Sequence, residues 1–183
     1  MNILILYGTI EGQTAKVAER VADILRSKGQ QVTILCGEHL PAGFETNNFN
    51  AAIIGGPIHM GDYPAYLKKF VTTHSNWLNN VPSALFTVCM AIHSQREKST
   101  KEAKRFGKDF VAQAGWQPKL NETFAGAVKY TQYNFITRFI MKLISKREGS
   151  STDTSRDHEY TDWEAVVRFS EKFLVEITER ESV

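Results

Sequence analysis

The chain has 183 residues, 42% of them hydrophobic and 23% charged, with a formal net charge of +2. That is enough for one ample core but too few for two comfortable domains, and the composition excludes a disordered chain. Balanced charge gives no reason to expect nucleic acid as a partner; no apolar run reaches the ~20 residues that span a bilayer, and the N-terminal one is too short for a signal peptide, so a cytoplasmic or membrane-peripheral chain is expected.

The first apolar run, residues 2–7, reads as a strand. It passes through Gly8-Thr9-Ile10-Glu11-Gly12-Gln13-Thr14 into a helical pattern over residues 12–28, in which Val17, Val21, Ile24 and Leu25 share a face and Lys28-Gly29 supplies the stop. A strand, a small hydroxyl-rich loop and a helix start make an anion site. Loop N–H groups and the unpaired N–H groups of the first turn point at one spot, where the helix dipole also favours negative charge. Thr9 and Thr14 add hydroxyls, and Gly12 permits a tight turn. No lysine follows the glycine, as an ATP-type phosphate loop requires, and G-x-G-x-x-G is absent. A loop without lysine or arginine suits a phosphate monoester held by neutral donors, such as flavin mononucleotide (FMN). An ordinary capped turn gives the same local pattern.

Further strands are expected at residues 31–36, 51–55, 84–89 and 123–128, and further helices at 62–73, 97–114 and 162–179, the last opened by a capping box at Thr161-Asp162-Trp163-Glu164. This alternation predicts an α/β fold: a doubly wound, five-stranded parallel sheet in the flavodoxin-like order 2-1-3-4-5. Ligands of such sheets sit beyond the carboxyl ends of the strands, where the order reverses. Three loops then converge: Thr9 to Thr14; Gly55-Gly56-Pro57-Ile58-His59-Met60-Gly61-Asp62-Tyr63, of which Pro57, Ile58, His59, Met60 and Gly61 are the cofactor candidates; and Cys89-Met90-Ala91-Ile92-His93-Ser94. The second loop offers glycines and apolar groups able to cover a flat ring, which a flavin needs. Tyr63 belongs either to this loop or to the core. Cys36 and Cys89 lack metal-ligand spacing, no metal site is expected, and three inter-strand steps of ~4.8 Å keep them from forming a disulfide.

More than thirty residues, 129–160, separate the fifth strand from the last helix, where a compact domain uses a handful. The whole chain therefore reads as one domain carrying an amphipathic insert. Phe135, Ile136, Phe139, Ile140, Leu143 and Ile144 recur with helical spacing, and Arg138, Lys142 and Lys146 are expected on the opposite side with Arg147 nearby. Such a helix can lie on an anionic membrane, wall a groove for a large apolar substrate, or pack on the domain. Tyr130 and Tyr133 precede it as pocket or surface aromatics. The polar run 149–157 reads as a flexible loop.

The opening loop, Arg138-Phe139-Ile140-Met141-Lys142-Leu143-Ile144, and above all Thr152-Asp153-Thr154 followed by Tyr160-Thr161-Asp162-Trp163-Glu164 resemble the HemG-type protoporphyrinogen oxidases, which are flavodoxin-like, quinone-dependent dehydrogenases of haem synthesis. The resemblance covers nearly the whole chain, insert included. It implies FMN as cofactor, protoporphyrinogen IX as substrate, menaquinone or ubiquinone as acceptor, and work at the cytoplasmic face of the inner membrane, in three two-electron steps. It also places Ser151, Thr152, Asp153 and Thr154 near the flavin, and it suits Tyr130, Tyr133, Arg138, Phe139, Lys142, Leu143 and Lys146 to substrate or membrane contact. No general base stands out; His59, His93 and Tyr130 are candidates by location, and no oligomeric state is implied.

Overall fold

The computed structural model describes residues 1–181. β1 (Asn2–Tyr7), β2 (Gln31–Cys36), β3 (Ala51–Pro57), β4 (Ser83–Val88) and β5 (Leu120–Phe124) form a parallel sheet in the order β2-β1-β3-β4-β5. Alternation along β1 sends Ile3 and Ile5 to one face and Leu4 and Leu6 to the other, and a core lies on each. On the first face α1 (Gln13–Ser27) packs Val17, Val21 and Leu25 beside Phe169, Phe173 and Ile177 of the last helix. On the second lie α2 (Ala65–Thr73), α3 (Ser75–Asn80) and α4 (Glu97–Gln113), with Leu67, Phe70, Leu78, Phe110 and the following Trp116 buried. Tyr63 belongs to this core: its ring stacks on Phe110 at 4.3 Å between centroids and its hydroxyl pairs with Thr87 Oγ1 at 2.6 Å. The buried phenol thus keeps a hydrogen-bond partner inside the core.

The largest departures from expectation are at the fifth strand and the second helix; other bounds shift by one or two residues, and α3 is an addition. The expected fifth strand at 123–128 is two elements, because the chain leaves the sheet at Ala125-Gly126. Beyond the break, β6 (Ala127–Val128) pairs antiparallel with β7 (His158–Glu159), and the backbone at the break is satisfied by the returning chain, through Thr161 Oγ1 to Ala125 O and Tyr160 N to Gly126 O. The strand also starts three residues earlier than read, since exposed Asn121 and Glu122 on this edge strand hide it from a hydrophobicity count. The second helix starts late, at Ala65, because a hairpin bridging His59 and Asp62 and then Pro64 occupy its expected first turn. The last helix, α6 (Trp163–Glu181), is capped by Asp162, whose Oδ1 accepts from Ala165 N at 3.0 Å. Thr161 is not the cap, because its hydroxyl is committed to Ala125 O and to Gln13 Nε2.

The β6–β7 pair closes the base of the insert, and α5 (Phe135–Glu148) lies within it, capped by the Asn134 side chain on Thr137 N and stopped at Gly149 with φ 76°. The inward face of α5 is polar. Arg138, Met141, Ser145 and Glu148, spaced three or four apart, are buried or half-buried. Arg138 was expected outside with the lysines; it turns inward because its guanidinium donates to the carbonyls of Tyr130 and Tyr133 at 3.0 and 3.1 Å. The Tyr130 hydroxyl is shared between Ser145 Oγ and the Ser151 carbonyl. At the other end Glu148 accepts from Ser94 Oγ at 2.5 Å and pairs with Arg96 at 3.3 Å. The apolar stripe therefore faces outward: Phe135 is 84% exposed and Ile136 71%.

Two outcomes follow from this packing. A Cβ on Gly55 would stand 2.0 Å from the Phe86 ring, so Gly55→Ala should lower the unfolding free energy by at least the ~1–3 kcal/mol typical of overpacking, read from urea melts. Hydrogen bonds from Ser94 and Ser99, with the charges of Arg96 and Arg147, hold the Glu148 carboxyl below the usual range. A depressed carboxyl binds fewer protons folded than unfolded, so its contribution is full above about pH 4.3 and is lost as the pH falls through the lower folded value. Amide protection of α5 should fall in that window before that of β1, and Glu148→Gln should lower it already at pH 7, as hydrogen exchange would read.

Candidate functional site

The carboxyl ends of β1, β3 and β4 and the inner side of the insert enclose a cavity of about 350 Å³. The first loop contributes Ile10, Glu11, Gln13 and Thr14; the second contributes Pro57, Ile58, His59 and Met60; the end of β4 contributes Val88 and Met90. The far wall is Gly126, Ala127, Tyr133, Thr137, Met141 and Ile144. All three expected loops thus meet at the reversal of strand order, and α5 closes the space they leave.

The first loop is built as an anion cradle. Gly12 sits at φ 84°, with open space where a Cβ would stand, and its N–H donates to Thr9 Oγ1 at 3.0 Å. That contact fixes the turn into α1, whose first N–H groups have no carbonyl one turn back. Among the described residues lining the cavity there is no lysine or arginine. Gln13 is 5% exposed; its Nε2 donates to Thr161 Oγ1 at 2.9 Å while its Oε1, buried beside the cavity, has no partner among the described residues. An orphaned buried acceptor beside the cavity suits a hydroxyl-bearing ligand. FMN carries a phosphate monoester for the cradle and a polyol chain for such an acceptor, so the residues fit it.

The second loop turns through Met60 at φ 52° and Gly61 at φ 84°, with His59 and Asp62 exchanging backbone hydrogen bonds of 3.0 and 3.2 Å. Two left-handed residues make the tight hairpin turn that Asn-Gly or Gly-Gly usually occupies, so a methionine there is strained. It is also 95% exposed, at the edge of the cavity. Asp62 buttresses the turn by accepting from Tyr63 N and from Lys68, and the Lys68 hydrogen bond holds its carboxyl below the usual range.

One side-chain contact joins the first loop to the insert across the cavity. The Tyr133 hydroxyl donates to the Glu11 carboxylate, 2.8 and 2.9 Å from its two oxygens. Burial, and then the hydrogen bond and charge of Glu11, push the Tyr133 phenol well above its ordinary pKa. It is therefore a donor and not a phenolate at neutral pH.

Other candidate residues lie around the cavity without lining it. Thr9, Gly12 and Gly61 shape the loops. Cys89 is buried, its thiol pushed up by desolvation, and Ala91 and Ile92 follow in a short turn where Ile92 faces Lys104 and Lys108 instead. Ser151, Thr152, Asp153 and Thr154 form a self-bonded loop, held by Tyr160 OH on Ser151 N and by Ser155 and Arg156 on Asp153. His93 packs on Tyr160 with ring centroids 4.5 Å apart and planes tilted by 34°, and Tyr130 is fully buried beneath α5. Neither reaches the cavity; His59 does. Phe139, Lys142, Leu143 and Lys146 lie on the exposed side of α5. Sequence reading missed Thr137 and Met141, although their four-residue spacing marks one helix face, and it missed Gly126-Ala127, which became wall only because the strand breaks there.

A model of the flavodoxin domain matches residues 4–155. The chain is 34% identical over 170 residues to the protoporphyrinogen IX dehydrogenase (quinone) of Escherichia coli, covering 93% of each, and 31% identical over 174 residues to the protein of that name from Leishmania major, covering 93% of this chain and 73% of that one. Among solved structures, oxidised flavodoxin 1 from Bacillus cereus matches with a TM-score of 0.55 at 13% identity over 95% of this chain and 97% of that one, a likeness of fold. A sheet in the order 2-1-3-4-5, a lysine-free loop at its switch point and an insert carried along in the 34% match lead to one assignment: the chain belongs to the flavodoxin domain family, in the group of the quinone-type protoporphyrinogen IX dehydrogenases.

Proposed function

We propose that this chain binds FMN in the cavity, dehydrogenates protoporphyrinogen IX to protoporphyrin IX in haem synthesis, and delivers the electrons to menaquinone or ubiquinone at the cytoplasmic surface of the inner membrane. One observation carries the reading: the wall of the cavity facing the first loop is the insert helix, so a flavin site and a surface for a large apolar substrate are parts of one structure. FMN, when bound, supplies acceptance of an electron pair and its release to a quinone. The chain supplies the rest. Gly12, Gln13, Thr14 and the first turn of α1 would hold the phosphate and polyol, and Pro57, Ile58, Met60 and Met90 would enclose the ring and keep water from it.

A cavity of about 350 Å³ lies near the lower end of ligand pockets. A cofactor seated there would leave the cavity largely filled, with its open side the way in for a tetrapyrrole. The substrate would meet the cofactor at the mouth, where exposed Ile10 and Met60 share the cavity's lining with Ile144 of α5. Six exposed apolar side chains on one short helix, with Lys142, Lys146 and Arg147 among them, fit the interface of an anionic bilayer, where the quinone resides. Among the described residues no helix is long and apolar enough to cross a membrane.

Purified protein should take up FMN, and Gln13→Leu should weaken uptake by about tenfold or less, the worth of one hydrogen bond, in a flavin-fluorescence titration. Anaerobic addition of protoporphyrinogen IX and a menaquinone analogue should produce porphyrin fluorescence; flavin uptake without porphyrin formation would favour an electron carrier. Phe139→Asp combined with Leu143→Asp should abolish sedimentation with anionic liposomes and leave the melting temperature within a few degrees, because both side chains are more than half exposed.

A further inference from the structure

Each two-electron oxidation of a porphyrinogen sheds a proton as well as a hydride. The hydride leaves a methylene bridge for the acceptor that FMN, when bound, would supply, and in the first two oxidations the proton leaves a pyrrole nitrogen. There one C–H and one N–H bond break, conjugation extends into the ring, and the proton needs an acceptor. Oxidation to the porphyrin takes three hydrides and three protons, in all four methylene C–H and two pyrrole N–H hydrogens, so two of the protons come from nitrogen and the third from the last methylene bridge, and the acceptor must also discharge between steps.

Three of the residues that line the cavity can titrate: Glu11, His59 and Tyr133. Tyr133 is a committed donor, its phenol raised by burial and by the carboxylate beside it. His59 is exposed and sits at the rim, on the hairpin that carries the strained Met60. Glu11 is half-buried on the opposite side, at the foot of the insert. A carboxylate has about four lone-pair directions, and the one phenol leaves most of them free. The first loop would otherwise place this negative side chain beside its own anion cradle; the bond to Tyr133 draws it across to the insert. Partial exposure gives it a route to return the proton to water.

We propose that Glu11 is the proton acceptor of the dehydrogenation and that the Tyr133 hydroxyl positions its carboxylate. In the first two oxidations a pyrrole N–H bond, and in the last the C–H bond of the remaining methylene bridge, breaks as an O–H bond forms on Glu11, and the proton then passes to solvent. The proposal rests on the porphyrinogen dehydrogenase reading and names the group that reading leaves unassigned. It accounts for a carboxylate in a loop whose presumed ligand is an anion, and for a hydrogen bond between residues 122 positions apart.

The experiment is anaerobic single-turnover bleaching of the FMN-loaded protein by protoporphyrinogen IX, in light and heavy water, with FMN affinity measured separately by fluorescence quenching. The wild type should bleach with a solvent isotope effect. Glu11→Gln should slow bleaching by about a hundredfold or more, the span of general-base catalysis, with FMN affinity unchanged or improved. Glu11→Asp should recover part of the rate, and Tyr133→Phe should lose about tenfold or less. Bleaching of Glu11→Gln at the wild-type rate, loss of FMN binding in both Glu11 variants, or a large loss confined to His59→Asn would overturn the assignment. A wild type that binds FMN but is not bleached would instead remove the functional reading on which it rests.

Discussion

Parallel strands joined by right-handed crossovers deliver their carboxyl ends to one edge of the sheet, and at that edge the backbone donors of the first helix have no partners of their own. Both consequences meet beyond Tyr7. The loop there must turn tightly enough to start α1, which Gly12 at φ 84° allows and Thr9 Oγ1 fixes, and it must leave its N–H groups facing outward. Loops after β3 and β4 reach the same edge because both strands run parallel to β1, with β3 beside it at the reversal of order. The cavity is therefore a product of topology, and side chains decide only what it can hold.

The insert is attached to this edge by polar contacts. Glu148 ties its far end to Ser94 and Arg96, Tyr133 ties its near end to Glu11, and Arg138 and Tyr130 bind it to itself. An amphipathic helix in water normally buries its apolar stripe and exposes its charges. Here the bonds consume the polar face and leave the stripe outside. The arrangement is unfavourable for a chain alone in water, and it makes sense where a lipid surface or a flat apolar substrate covers the stripe.

This inversion marks the limit of what was legible in the sequence. Strand order, the bounds of β1 and β2 and the convergence of three loops follow from patterns each segment carries by itself. Periodicity also locates α5, but it reports that two faces differ and not which faces inward. Arg138 looks like a surface cation until the carbonyls of Tyr130 and Tyr133 are placed beside it. Tyr130 looks like a pocket aromatic until Ser145 and Ser151 are seen to bury its hydroxyl. The break of the fifth strand depends on Thr161 and Tyr160 returning from more than thirty residues away. In each case the deciding partner is distant in sequence.

A sheet edge shaped for a cofactor comes to serve a larger substrate through an added segment. The sheet edge provides a cradle for a phosphate and a slot for a flat ring, and a carrier of electrons needs little more. A dehydrogenase also needs a surface for the donor and a group that takes its protons. The insert supplies the first through its outward stripe. It supplies the second indirectly, since the Tyr133 hydroxyl reaches back to Glu11 and turns a residue of the cradle toward the donor's side. One added segment, closed at its base by two short strands, thus changes what the sheet edge can do without altering strand order or register.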